Sequence, residues 1–80
     1  MSKQEIRSQL PGVFYRKPAP DSPVYKNDGD SVGPDDVIGL VEVMKSFHEV
    51  KAGLTGKSIR FVAENEEPVM AGDVIAEVEA

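Results

Sequence analysis

Eighty residues, 40% of them hydrophobic and none of them Trp, sit at the small end of independent folding, where a chain buries only about 60–65% of its unfolded surface; one core of Val, Ile and Leu is expected. The net charge of −5 argues against nucleic acid or an anionic membrane surface as a partner, and the lack of cysteine excludes disulfides and Cys-based metal sites. No apolar run approaches the ~18 residues of a membrane span and no signal-peptide pattern opens the chain, so a cytoplasmic domain is expected.

Val and Ile gather in short runs broken by Gly, Pro, Asp and Asn at intervals of about ten residues, the pattern of an all-β barrel or sandwich. Met1-Ser2-Lys3-Gln4 reads as a short tail and a mature cytosolic start, with one domain over 5–80. Eight strands are expected, at 5–9, 12–16, 31–33, 37–43, 46–52, 57–62, 67–69 and 74–79; no window keeps a helical apolar period for three turns. Between the second and third strands, Lys17-Pro18-Ala19-Pro20-Asp21-Ser22-Pro23 carries three prolines, which fix φ and reduce the entropy lost when a loop is held in one shape. It reads either as a stiff flap or as a surface connector that avoids strand pairing. Gly29-Asp30 and Gly72-Asp73 are turn signals ahead of apolar strands. The run Val37–Val41 is apolar on both faces; comparison with Val74, Ala76 and Val78 favours Val37 and Val41 pointing inward.

The chain also repeats itself. Glu5–Gly12 matches Glu49–Gly56 without gaps, and Val32–Glu42 matches Val69–Glu79. Spacings of 44 and 37 residues make the first copy seven residues longer, with the surplus between Gly12 and Val32. Two copies are too few for a solenoid, so a closed domain with a pseudo-twofold is the better reading. Strands 37–43 and 46–52 are close enough to form a hairpin with Met44 and Lys45 at its tip. Two-residue hairpin turns favour Asn-Gly or Asp-Gly, because both positions take positive φ. Met-Lys breaks that rule, and a local rule broken at one spot often marks a functional site. The alternative is a longer loop with an ordinary exposed lysine. The repeat places the equivalent of this tip where the chain termini meet, so Lys45 is expected at the opposite end, clear of them.

Glu42-Val43-Met44-Lys45-Ser46-Phe47 resembles the Glu-Ala-Met-Lys attachment sequence in the biotinyl domain of biotin carboxyl carrier proteins. Gly12-Val13-Phe14-Tyr15-Arg16-Lys17-Pro18-Ala19-Pro20-Asp21 is similar to the stretch that precedes a protruding "thumb" loop in bacterial acetyl-CoA carboxylase carriers, and the surplus residues fall in the matching place. The likeness runs from about Glu5 to Glu79. Val43 departs from the family's usual Ala, and Ser46 from an apolar residue.

The resemblance implies a flattened barrel, a barrel-sandwich hybrid of two four-stranded sheets, with an attachment hairpin at 43–46 and a thumb at 17–23. It implies a non-catalytic carrier subunit with biotin attached to Lys45 by a biotin protein ligase. A biotin carboxylase would load the arm with a carboxyl group from bicarbonate using ATP, and a carboxyltransferase would pass it to an acyl-CoA or similar acceptor, as in fatty acid biosynthesis. Lys45 would contribute reach and a stable amide. Met44, flexible and polarizable, would be read by the ligase and the partner sites, although a partly buried packing role suits it equally. Glu42 would belong to the ligase-recognition face, although a solvated strand carboxylate is the commoner case.

Two other readings stay open. One is a lipoyl carrier, which shares the fold but usually has an acidic residue where Met44 stands; the other is a binding module of this fold that is never modified. His48 has no Ser, Cys or second His near it in sequence and reads as an ordinary strand residue. Asp35, Asp36, Glu64, Glu66 and Glu67 fall in expected turns and read as solvated loop charges, without a metal site or an acid–base pair.

Overall fold

Side chains that alternate between core and solvent, punctuated by turn residues, fold here into seven strands. The structure, a computed structural model, describes residues 3–79. In chain order the strands are β1 (Lys3–Arg7), β2 (Gly12–Tyr15), β3 (Val37–Val43), β4 (Ser46–Lys51), β5 (Ser58–Phe61), β6 (Glu67–Val69) and β7 (Val74–Glu79). They form a sheet ordered β1-β7-β5 and a sheet ordered β4-β3-β2-β6, every pair antiparallel. The two apolar faces close on one core in which Phe14, Ile38, Ile59 and Ile75 are wholly inaccessible. Each such side chain contributes about 1.5–3 kcal/mol through burial.

Two expected strands need correction. The segment 31–33 is no strand: only Val32 bridges, to Gly56. Turns at Asn27–Asp30 and Gly33–Asp36 leave just Ser31 and Val32 extended between them. The segment still runs beside β5, through Gly29 N–H to the Ile59 carbonyl (2.7 Å), Ile59 N–H to the Asp30 carbonyl (2.9 Å) and a reciprocal Val32–Gly56 pair (3.0 Å each). It fills the fourth place in the smaller sheet with irregular backbone. The first strand runs over Lys3–Arg7, not 5–9, so Lys3 and Gln4 of the expected tail are paired strand residues. Ser8 leaves the ladder by donating its N–H to the Asp73 carbonyl (2.8 Å) and its Oγ–H to the Leu10 carbonyl.

The repeat is carried pair by pair. Phe47–Glu42 in one sheet corresponds to Lys3–Glu79 in the other, His48–Val41 to Gln4–Val78, and Glu49–Leu40 to Glu5–Glu77. Val13–Glu42 and Phe14–Val41 correspond to Ser58–Glu79 and Ile59–Val78, with Lys57 as an extra residue in the second copy. Even the bulges match, at Val37/Gly39 and opposite Val74 at Ile6/Arg7. Turn bonds repeat too: Gly33 N–H to Asp36 Oδ2 and Met70 N–H to Asp73 Oδ2, each 2.8 Å. Asn27 N–H to Asp30 Oδ2 is matched by Glu64 N–H to Glu67 Oε1, again 2.8 Å. Segment 17–26 therefore stands where the second copy has only Val62 and Ala63.

The bulges also correct the expected phase. Val41, Ala76 and Val78 do point inward, but Val37 and Val74 are only half-buried, and Ile38 and Ile75 take the core positions. One extra residue in a strand switches the face that follows. Along the fold, β1 leads from the paired Lys3 and Glu79 to Arg7, and Ser8–Pro11 then bring the chain to Gly12 beside the β3–β4 hairpin. Lys3 and Glu79, the first and last described residues, thus lie away from the hairpin tip. Asp36 and Glu67, expected as solvated loop charges, also hold turns together, Glu67 while exposed and Asp36 while half-buried and paired with Lys26 (3.4 Å).

Candidate functional site

β3 is held between β2 and β4, and its last ladder pair is Val43–Ser46. Met44 and Lys45 are the whole of the connecting loop, with φ of 49° and 68°. Both are left-handed, as a two-residue hairpin of this twist demands, and neither is a residue that favours it. Such a conformation costs roughly 1–2 kcal/mol per non-glycine residue. The gain is geometric: the two side chains are thrown outward at the end of a rigid ladder. Met44 is 93% exposed, which rules out the packing role allowed for it, and Lys45 is exposed beside it.

The residues before the tip have divided environments. Val43 is half-buried and packs against the core, so its branched side chain is directed away from the tip. Glu42 is half-buried on the other face and accepts a hydrogen bond from the Tyr15 hydroxyl at Oε1 (3.1 Å). Phe47, its ladder partner, is 58% exposed, and its ring stands against that of Tyr15 with centroids 6.0 Å apart at 57°. The Tyr15 hydroxyl is held above its ordinary pKa, first by the hydrogen bond to Glu42, then by desolvation and by the charges of Glu42 and Glu66. Tyr15 and Phe47 were not singled out as site residues from sequence. A two-residue loop would have set Phe47 opposite Glu42, but nothing local announces Tyr15.

The proline loop is built as a braced projection. Ser22 N–H returns to the Ala19 carbonyl (3.0 Å), and Pro18, Pro20, Asp21 and Pro23 are exposed while Lys17, Ala19 and Ser22 are half-buried. At its base, Tyr25 N–H bonds the Arg16 carbonyl (3.0 Å) and Arg16 Nη2 donates to the Lys26 carbonyl (3.2 Å). The Arg16 guanidinium also lies 4.2 Å over the Phe61 ring, its equivalent in the other copy. The loop leaves the sheet after Tyr15, which pairs with Leu40, three residues back from Val43 or about 10 Å along the strand. Among the described residues its hydrogen bonds run within itself and to its base, and none joins it to Met44 or Lys45. The hairpin residues Glu42, Val43, Met44 and Lys45 are therefore brought together with Tyr15 and Phe47, and the loop stands behind them.

Comparison with known proteins bears on this hairpin. A family profile described as "biotin-requiring enzyme" matches residues 4–78. This chain belongs to that family. The biotin carboxyl carrier protein of acetyl-CoA carboxylase from Chlamydia pneumoniae is 45% identical over 67 residues, which are 84% of this chain and 40% of the relative. Its counterpart from Chlamydia trachomatis serovar D is 42% identical over 67 residues, covering 84% and 41%. The chloroplastic biotin carboxyl carrier protein of acetyl-CoA carboxylase 1 from Arabidopsis thaliana is 39% identical over 64 residues, covering 80% and 23%. The chain thus spans about two-fifths, or less, of these relatives. Among solved structures, the urea carboxylase of Kluyveromyces lactis contains a region that superposes with a TM-score of 0.76 and 25% identity over 98% of this chain and 6% of that one.

A covalently attached biotin fits the chemistry of this hairpin: the Lys45 amine, which would hold it, lies in an exposed two-residue left-handed turn, free of the core. Among the described residues no group of three or more His, Cys, Asp or Glu is placed to hold a metal ion, and no helix is long and apolar enough to cross a membrane.

Proposed function

We propose that this chain is a biotin carrier domain of a multi-subunit carboxylase of the acetyl-CoA carboxylase type, modified on Lys45. The observation that carries the reading is the left-handed Met44-Lys45 pair at the tip of the β3–β4 hairpin in a member of the biotin-requiring family. Nothing in the folding of the hairpin asks for Met and Lys there; a partner that reads and modifies them does.

The chain's own residues divide the work. Lys45 supplies a primary amine on four methylenes and, once acylated, a neutral and stable amide. An amine attacks only when neutral, so a biotin protein ligase must take its proton before acylation. Met44 offers an adaptable apolar surface to the ligase and then to the partner sites. Glu42 marks the hairpin's outer face, and Val43 anchors it to the core. The thumb-like loop of Pro18, Ala19, Pro20, Asp21, Ser22 and Pro23 stands ready to contact the tethered group. Biotin, when attached, supplies the carboxyl-carrying chemistry, with a biotin carboxylase subunit and a carboxyltransferase subunit as the successive stations. We place this carrier in the cytoplasm, with partners that consume ATP and bicarbonate.

Co-expression with an active biotin protein ligase, in medium holding both biotin and lipoate, tests the reading by intact mass. The expected product carries one biotinyl group, absent from Lys45→Arg, which keeps the fold but not avidin binding. A lipoyl mass, or an unmodified chain while other acceptors in the same cells are labelled, would overturn it.

A further inference from the structure

The Glu42 carboxylate is not left to wave in solvent. Tyr15 reaches it from the neighbouring strand, diagonally across the sheet, and its O–H donates a hydrogen bond to Oε1 at 3.1 Å. Phe47 closes the other side, lying opposite Glu42 in the ladder with its ring against that of Tyr15. The carboxylate is therefore fixed in position and half-dehydrated three residues before Lys45. Tyr15 engages Oε1, so Oε2 remains open to a donor on another molecule. Phe47 at 58% exposure and Met44 at 93% extend the same region as apolar surface. A preset anion within exposed apolar surface matches a partner cleft that carries one cationic donor among apolar side chains, since preorganised charge costs less ordering on binding.

We propose that Tyr15 is a positioning residue for ligase recognition: through its hydrogen bond it presents the Glu42 carboxylate, with Phe47 and Met44 beside it, to a cationic side chain of the biotin protein ligase that modifies Lys45. The inference rests on the biotin-carrier reading above. Tyr15 touches neither the amine nor the acyl donor; it acts through Glu42. A phenol in this role orients the anion and keeps its own proton, in keeping with the raised pKa of that hydroxyl.

The test measures ligase-catalysed biotinylation of the whole chain at varied carrier concentration, with Thr55→Ala, at an exposed site outside the hairpin, as a control. Tyr15→Phe keeps the ring and its contact with Phe47 and removes only the hydroxyl. It is expected to raise the KM for the carrier about fivefold, the loss of one hydrogen bond of ordinary worth, with kcat unchanged. Glu42→Ala, which removes charge and acceptor together, should raise KM at least as much, and Tyr15→Phe added to it should change nothing further, because no carboxylate is left to orient. An unchanged KM in Tyr15→Phe, a fall confined to kcat, or a Tyr15→Phe effect that persists in the Glu42→Ala background would overturn the proposal. Failure of the wild-type chain to be biotinylated at all would instead overturn the carrier reading beneath it, so the two failures are distinguishable.

Discussion

Gly29 and Glu66 occupy the same place in the two copies of the repeat, and both are left-handed, with φ of 95° and 65°. Each follows an equivalent side-chain acceptor: Asp28 Oδ1 takes the Phe61 N–H (3.0 Å), and Asn65 Oδ1 takes the Arg16 N–H (2.8 Å). Each also donates its own N–H to the strand beside it, Gly29 to Ile59 in β5 and Glu66 to Phe14 in β2, at 2.7 Å. The turn demands positive φ in both copies, and only one copy has the residue suited to it. Glu66→Gly is therefore expected to stabilise the fold by up to about 1 kcal/mol, the left-handed penalty less the entropy cost of glycine. In a domain of this size that is a rise in Tm of about 4–8 °C by calorimetry. Gly29→Ala should lower Tm by a comparable amount.

That pair also shows what the sequence made legible. Gly-Asp at 29–30 and 72–73 announced turns, and both glycines have positive φ. Glu66 was read as a loop charge, because a left-handed glutamate leaves no compositional mark; only alignment with Gly29 would have exposed it. The first strand of the hairpin was legible from its Val and Ile content, and the all-β fold followed from such runs along the chain. Ile38 and Ile75 displaced Val37 and Val74 from the core because a bulge is set by ladder geometry, and an apolar run on both faces cannot show it. Within the site, Glu42 through Lys45 were found from the broken turn rule and the motif. Tyr15 was not, since its role depends on a cross-strand contact with Glu42, 27 positions away.

The tip itself is a place where local stability is given up for presentation. Replacing Met44 with Asn and Lys45 with Gly supplies the residues that the turn prefers. The double variant is expected to be more stable than the natural chain by about 1–2 kcal/mol in urea unfolding, with an unchanged m-value. On the carrier reading proposed above, it should also be inert to a biotin protein ligase. A destabilised variant would show that Met44 or Lys45 contributes packing that their exposure does not reveal.

Gly39 lies against the ring of Phe14 and the backbone of Tyr15; a Cβ there would stand 2.5 Å from Phe14 Cε1, 2.7 Å from its Cζ and 2.7 Å from the Tyr15 carbonyl oxygen. Phe14 is wholly buried between the sheets, so its ring cannot retreat without opening the core. Gly39→Ala is expected to cost about 1–3 kcal/mol by overpacking, and Phe14→Leu about as much by leaving unfilled space. Combined, the two should cost somewhat less than their sum, because the smaller side chain removes the ring contacts of the new methyl and leaves only its contact with the Tyr15 carbonyl. Urea unfolding of the four proteins in the cycle checks this, and simple additivity would show that the Tyr15 backbone, not the Phe14 ring, sets the cost.

Stability should also fall in acid in a manner traceable to Asp36. Its carboxyl is held below the ordinary value of 3.8, first by the Gly33 N–H and then by the Lys26 ammonium. Between its lowered folded value and 3.8 the unfolded chain binds more protons at this position than the folded one, so stability rises with pH across that window. The contribution is complete above 3.8 and is lost as pH falls through the folded value. Asp36→Asn keeps an acceptor for Gly33 but removes the titration. It should therefore lower Tm at neutral pH and flatten the acid limb of the Tm-against-pH curve. Lys26→Met, which leaves the larger backbone contribution in place, should flatten it only in part. An equal effect from the two variants would assign the lowered value to Lys26 alone and not to the turn.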